Sequence, residues 1–203
     1  MSPLPQWQGL HRQYVERAAQ GGIRVLLLGD SITMQWSRSP RWASDLVPLG
    51  AESFGVDGDG TRQLLWRITN GELDGIAPQV VVVLIGINDV IDGDPPEAVR
   101  DGTVAILNEI HRRLPRARIL SLAIFPVGRN AVPQRAAAAR ANELVNAAAP
   151  DSVRRLDFGA AFVSPDGTIS EDVMPDGLHL GLRGYELWAG QLLPVLRDLL
   201  ATP

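Results

Sequence analysis

Val80-Val81-Val82-Val83-Leu84-Ile85-Gly86-Ile87-Asn88-Asp89 is an unbroken apolar run that ends on a glycine and then on a side-chain amide. β-Branched residues without polar alternation fit a strand buried on both faces, the position found in the middle of a parallel sheet. Outward from it, shorter apolar runs alternate with segments of helical period. Strands are expected at Ile23 to Leu28, Arg118 to Ile124 and Val153 to Leu156, with a less regular one around Val47 to Phe54. Between and around them the spacing predicts helices over Gln6 to Ala19, Thr61 to Thr69, Pro96 to Arg113, Pro133 to Ala148 and Arg183 to Leu200. Pro96 and Pro133 stand where a helix start loses nothing by lacking an N–H. This alternation predicts a three-layer α/β/α domain over residues 1–203, with residues 1–20 as a helical arm packed on it. In such sheets ligands bind beyond the carboxyl ends of the strands, so the loops after each strand are where chemistry is sought.

Composition removes several classes of chemistry. The 203 residues contain no cysteine, which excludes disulfides, thiolate nucleophiles and thiolate-bound metals. All 19 basic residues are arginine, so a phosphate-loop lysine, a Schiff-base lysine and a Ser/Lys pair are absent too. The histidines are His11, His111 and His179, too few and too scattered for a three-histidine metal site. No metal and no cofactor is expected. A net charge of −4 offers no electrostatic surface for nucleic acid or anionic lipid. No apolar stretch approaches the roughly 20 residues that span a bilayer. The expectation is a cytoplasmic protein with a small neutral or amphiphilic partner and no stable membrane insertion; a homodimer is left open.

Four loops carry polar groups at strand ends. After the first strand comes Gly29-Asp30-Ser31-Ile32-Thr33, where Ser31 reads either as an N-cap or as a hydroxyl aimed from a helix N-terminus. It is not the G-x-S-x-G elbow. After the second comes Phe54-Gly55-Val56-Asp57-Gly58-Asp59-Gly60-Thr61, spaced G-x-x-G-x-G, an unspecific turn or a close backbone approach to a ligand. After the third, Asn88 is a turn residue, a cap or a side-chain donor. Near the end, Met174-Pro175-Asp176-Gly177-Leu178-His179 puts a carboxylate three residues before a histidine, in a turn that lets it hold the imidazole. His11 and His111, flanked by arginines, read as solvated. Together the four loops fill the roles of one acyl-transfer site: Ser31 as nucleophile, His179 as base, Asp176 as its orienter, and the Ser31 and Gly58 N–H groups with the Asn88 amide as oxyanion donors.

The pattern resembles the SGNH (GDSL) hydrolase superfamily, whose four blocks supply Ser, Gly, Asn and His in that order. Ser31, Gly58, Asn88 and His179 match those blocks, the last through Asp176-Gly177-Leu178-His179. The glycine loop, Leu65-Trp66-Arg67, Asn70-Gly71-Glu72-Leu73 and Phe162-Val163-Ser164-Pro165-Asp166-Gly167 are similar to the catalytic subunits of intracellular platelet-activating factor acetylhydrolase. The resemblance implies a flavodoxin-like five-stranded parallel sheet and hydrolysis of short carboxylic esters, such as acetyl esters of a phospholipid, a sugar or a secondary metabolite. Ile32 replaces the leucine of the namesake motif. Ser53 and Asp57 stand where Asn and Gly are expected, which implies a differently shaped loop around Gly58. Two rivals use the same residues: a non-catalytic flavodoxin-like module holding a phosphate in the glycine loop, which the charges of Asp57 and Asp59 oppose, and an acyltransferase or thioesterase with the same triad. Short acyl groups are expected because Phe125 to Val132 and Asp157 to Pro175, the longest irregular stretches, supply no apolar lid, and Trp36, Trp42 and Trp66 read as core or interface residues.

Overall fold

The computed structural model describes residues 7 to 201. Five parallel strands form the sheet: β1 Val25–Gly29, β2 Ala51–Gly55, β3 Val80–Leu84, β4 Arg118–Leu122 and β5 Val153–Leu156, in the order β2-β1-β3-β4-β5. The seven α-helices among the described residues are α1 Gln8–Ala19, α2 Ser31–Trp36, α3 Thr61–Arg67, α4 Ile87–Ile91, α5 Pro96–Arg113, α6 Pro133–Ala148 and α7 Leu182–Ala201. β3 lies at the centre and is buried along its whole length. Its alternate residues serve two cores, as the pleat requires. Val80, Val82 and Leu84 pack with Trp36 of α2 and Trp188, Leu192 and Leu196 of α7. Val81 and Val83 pack with Leu64 of α3 and Ile106, Leu107 and Ile110 of α5. Each such side chain contributes about 1.5–3 kcal/mol by leaving water. The α7 contacts recur at helical spacing, with Tyr185, Trp188, Ala189, Leu192, Leu196 and Leu199 all buried.

Gly29 of β1 pairs in register with Gly55 of β2 on one side and with Leu84 of β3 on the other. The chain leaves β1 toward β2 and then returns past it to β3. At this reversal neighbouring loops diverge, and a crevice opens at the carboxyl edge.

Several boundaries differ from the sequence reading. The second strand begins at Ala51, because Val47–Leu49 forms a tight turn that contains Pro48 and closes on Gly50 at φ 69°. Proline supplies no ladder N–H, and only glycine takes that backbone angle without strain. The first strand starts at Val25 and runs to Gly29, while the third and fourth stop at Leu84 and Leu122. Helix α3 ends at Arg67; a wider turn over Ile68–Glu72 follows and is broken at Asn70 and Gly71. α4, absent from the sequence reading, begins just before Asn88. Gln6, the expected start of α1, lies outside the described residues. Helices α5 and α6 and strand β5 keep their expected limits.

Candidate active site

Ser31 opens α2, and the carboxylate of Asp30 caps that helix by accepting from the Ile32 N–H at 2.9 Å. A single turn therefore divides the two readings of this loop: Asp30 is the cap, and the Ser31 hydroxyl is left for another partner. That partner is His179, whose Nε2 lies 2.9 Å from Ser31 Oγ. On the other side of the ring, His179 Nδ1 lies 2.7 Å from Asp176 Oδ2. Asp176 Oδ1 also accepts the N–H groups of Leu178 and His179, at 2.9 and 2.7 Å, which folds the D-x-x-H stretch into a turn around its own carboxylate. Burial acts to raise the Asp176 carboxyl, but the hydrogen bonds from His179 and the two backbone N–H groups outweigh it and hold the group below its ordinary value. An ionised carboxylate only accepts, so the neutral imidazole carries its hydrogen on Nδ1. Nε2 is then the acceptor that faces the Ser31 O–H.

Gly58 stands three residues beyond β2, in the left-handed region at φ 78°. The space around it is open, so the conformation rather than crowding selects glycine. Asn88 donates one amide hydrogen to the Asp59 carbonyl at 2.8 Å, which fixes the amide plane and leaves its second hydrogen free. No backbone carbonyl among the described residues takes the N–H of Ser31 or Gly58. Ser31, Gly58 and Asn88 thus sit on the loops of three adjacent strands whose ends are in register.

Beneath this edge lies a charged cluster absent from the sequence reading. Arg67, fully buried, donates through Nε to Asp59 Oδ2 at 2.6 Å, through Nη1 to Glu72 Oε2, and through Nη2 to the Gly29 carbonyl at 3.3 Å. Glu72 Oε1 meets His11 Nδ1 of α1 at 2.9 Å. Two readings are corrected here. His11 is not solvated, since it reaches Glu72 and packs against Trp66, and Asp59 is a buried, arginine-paired group rather than a free charge facing the glycine loop. Burial, opposed by Arg67, pushes the Asp59 carboxyl up to about 6. Asp30 is fully buried, and its Oδ2 has no hydrogen-bond partner; desolvation pushes this carboxyl up to about 7. The signal for Arg67 was present in the sequence as a charge within Leu64-Leu65-Trp66-Arg67-Ile68, three residues after a core leucine. His111 is exposed, as expected.

Trp36 and Trp42 are core residues. Trp36 stacks on Trp188 at 4.1 Å, so neither it nor Trp42 walls an acyl groove. Phe158, Phe162 and Ile169 of the long irregular stretch are buried as well. A shallow depression of about 310 Å³ is bounded by Gln35, Pro40, Leu180, Leu182 and Tyr185, and neither Ser31 nor His179 lines it. A larger cavity, about 520 Å³, lies over the ends of β4 and β5 and touches none of the four block residues. No group of three or more His, Cys, Asp or Glu side chains among the described residues is arranged to hold a metal ion. No described helix is long and apolar enough to cross a membrane.

A parallel five-stranded sheet between helical layers, with a Ser–His–Asp line at the reversal of strand order, defines the class as a three-layer α/β protein of hydrolase architecture. A protein from Bacteroides fragilis has the same fold, with a TM-score of 0.76, 17% identity, and coverage of 92% of this chain and 95% of that one. Residues 27–187 match the model of the GDSL-like Lipase/Acylhydrolase family, and the chain belongs to that family. It is 39% identical over 197 residues to the platelet-activating factor acetylhydrolase IB subunit alpha1 of Pongo abelii, covering 96% of this chain and 84% of the relative. To the alpha2 subunit of Rattus norvegicus it is 37% identical over 181 residues, covering 88% and 78%. The protein is a carboxylic ester hydrolase acting on a small-molecule substrate.

Proposed function

We propose that the chain hydrolyses short-chain carboxylic esters, of the acetyl-ester type, through Ser31, His179 and Asp176. Ser31 Oγ attacks the ester carbonyl while His179 Nε2 takes the hydroxyl proton. The tetrahedral oxygen, now negative, receives hydrogen bonds from the Ser31 and Gly58 N–H groups and the free hydrogen of Asn88. Asp176 stabilises the imidazolium, which then protonates the departing alkoxide as the C–O bond breaks. Water, deprotonated by His179, attacks the acyl-enzyme; the proton returns to Ser31 and the carboxylic acid leaves. The observation that carries this reading is the continuous hydrogen-bonded line from Ser31 Oγ through His179 to Asp176.

The short-acyl part rests on Trp36 and Trp42 being committed to the core, and it agrees with relatives named acetylhydrolases. A long chain would need an apolar channel, since each buried methylene contributes about 0.8 kcal/mol only where such a wall exists. The test is kcat/KM for p-nitrophenyl acetate, butyrate, octanoate and palmitate below any micelle threshold. The expected order falls from acetate or butyrate to palmitate. An optimum at octanoate or longer overturns the substrate class and leaves the mechanism standing.

A further inference from the structure

We infer that Arg67 is a positioning residue for the oxyanion donors, acting through Asp59 from beneath the site. The inference rests on the esterase reading above and adds a residue that touches no substrate.

Two independent holds meet on the loop that carries Gly58. From the β3 side, Asn88 Nδ2 reaches the Asp59 carbonyl, and Asp89 accepts both the N–H and the hydroxyl of Thr61 at 2.9 and 2.7 Å. From below, Arg67 grips the Asp59 side chain. Asp59 therefore bonds Asn88 with its backbone and Arg67 with its carboxylate, and it directly follows Gly58. A shift of Asp59 would turn the Asn88 amide and displace the Gly58 N–H together. The same guanidinium reaches the carbonyl of Gly29, two residues before Ser31, so one rigid group spans the nucleophile turn and the oxyanion loop. Glu72 holds the remaining edge of the fork. A planar guanidinium serves three acceptors in fixed directions; the lysine ammonium is a compact charge and does not reproduce that fork.

The test uses p-nitrophenyl acetate turnover of the full chain, with thermal unfolding measured in parallel. Arg67→Lys should lower kcat by about 10- to 100-fold with KM changed less than about 3-fold, the scale of a small misplacement of catalytic donors. The same substitution in an Asn88→Ala background should cost under about 3-fold, because the donor it acts on is already gone. Asp59→Asn keeps the carbonyl that Asn88 meets and weakens only the arginine contact, so it should lower kcat by about 3- to 10-fold. Losses that multiply fully with Asn88→Ala, or that track the unfolded fraction, assign Arg67 a structural role and overturn the inference. If Arg67→Lys does not fold, Asp59→Asn decides; failure of both to fold also counts as a structural role. A wild type without turnover sinks the esterase reading and this inference with it. An active wild type with unchanged variants sinks this inference alone.

Discussion

Asp176 stands at the solvent end of the Ser31–His179 line with a side chain 56% exposed, whereas Asp59 and Glu72 lie beneath it at 2% and 0%, clasped by an Arg67 that is itself at 0%. Both regions are built from charge-assisted hydrogen bonds, and their solvation separates their uses. Along the upper line His179 is partly open to water, so protons can enter and leave as a reaction demands. In the lower cluster each charge is closed in by its partners. Breaking a buried pair typically costs about 3–5 kcal/mol because it strands an uncompensated charge, whereas an exposed pair is worth about 0–1 kcal/mol. The lower cluster is therefore expected to govern folding and loop geometry, and the upper line chemistry.

The sharpest way to break this division is Ser31→Ala. Turnover should fall by about 10⁴-fold or more while the unfolding midpoint stays within a degree or two, and the covalent adduct formed with an organophosphonate should disappear from the mass spectrum. Labelling at another serine, or activity left intact, would remove the upper line from catalysis. Asn88→Ala tests the seam between the regions and should lower kcat by about 100- to 1,000-fold with a smaller change in KM. A pure KM effect would make Asn88 a substrate-binding residue.

On the lower side, Glu72→Ala should destabilise the chain by about 3–5 kcal/mol in urea unfolding, since it strips both Arg67 and His11 of a partner. Glu143→Ala, which removes the exposed pair with Arg140, should cost less than about 1 kcal/mol. Equal losses would erase the contrast. A pH-dependent contrast belongs to Asp30. Its carboxyl is raised from 3.8 in the unfolded chain to about 7 in the folded one, so between those values the folded chain holds the extra proton. Stability from this group therefore declines as pH rises from about 4 to 7 and is level above that. Asp59, raised to about 6, acts in the same direction over the lower part of that window. Asp30→Asn keeps an acceptor for the Ile32 N–H and removes the titration. Its melting temperature should gain on the wild type between pH 5 and pH 8, and a constant offset would contradict the assignment.

What could be read in the sequence followed the same division. The upper line uses short local patterns at strand ends, so Ser31, Gly58, Asn88, Asp176 and His179 were legible from spacing, and the uniform run at Val80 fixed the centre of the sheet. The lower cluster joins His11, Asp59, Arg67 and Glu72 from four segments, and one of its contacts spans 61 residues. No periodicity reports such a pairing. A charged residue inside an apolar helix face was the only sign of it. Strand ends were misjudged where Pro48 and Gly50 overrode local apolarity, and α4 was missed because a helix of five residues has too little length to show a period.

Trp36, Trp188 and Trp42 form one chromophore cluster in the seam between α2 and α7, with ring centres 4.1 and 5.9 Å from Trp36 and Tyr185 also close by at 6.1 Å. Rings held this near in fixed orientations couple their electronic transitions, so the near-ultraviolet circular dichroism of the chain should be dominated by this one place. The helix that contributes Trp36 begins at Ser31. The dichroic band is thus a built-in optical gauge of whether the helix opened by Ser31 is seated against the C-terminal helix, readable without label or substrate.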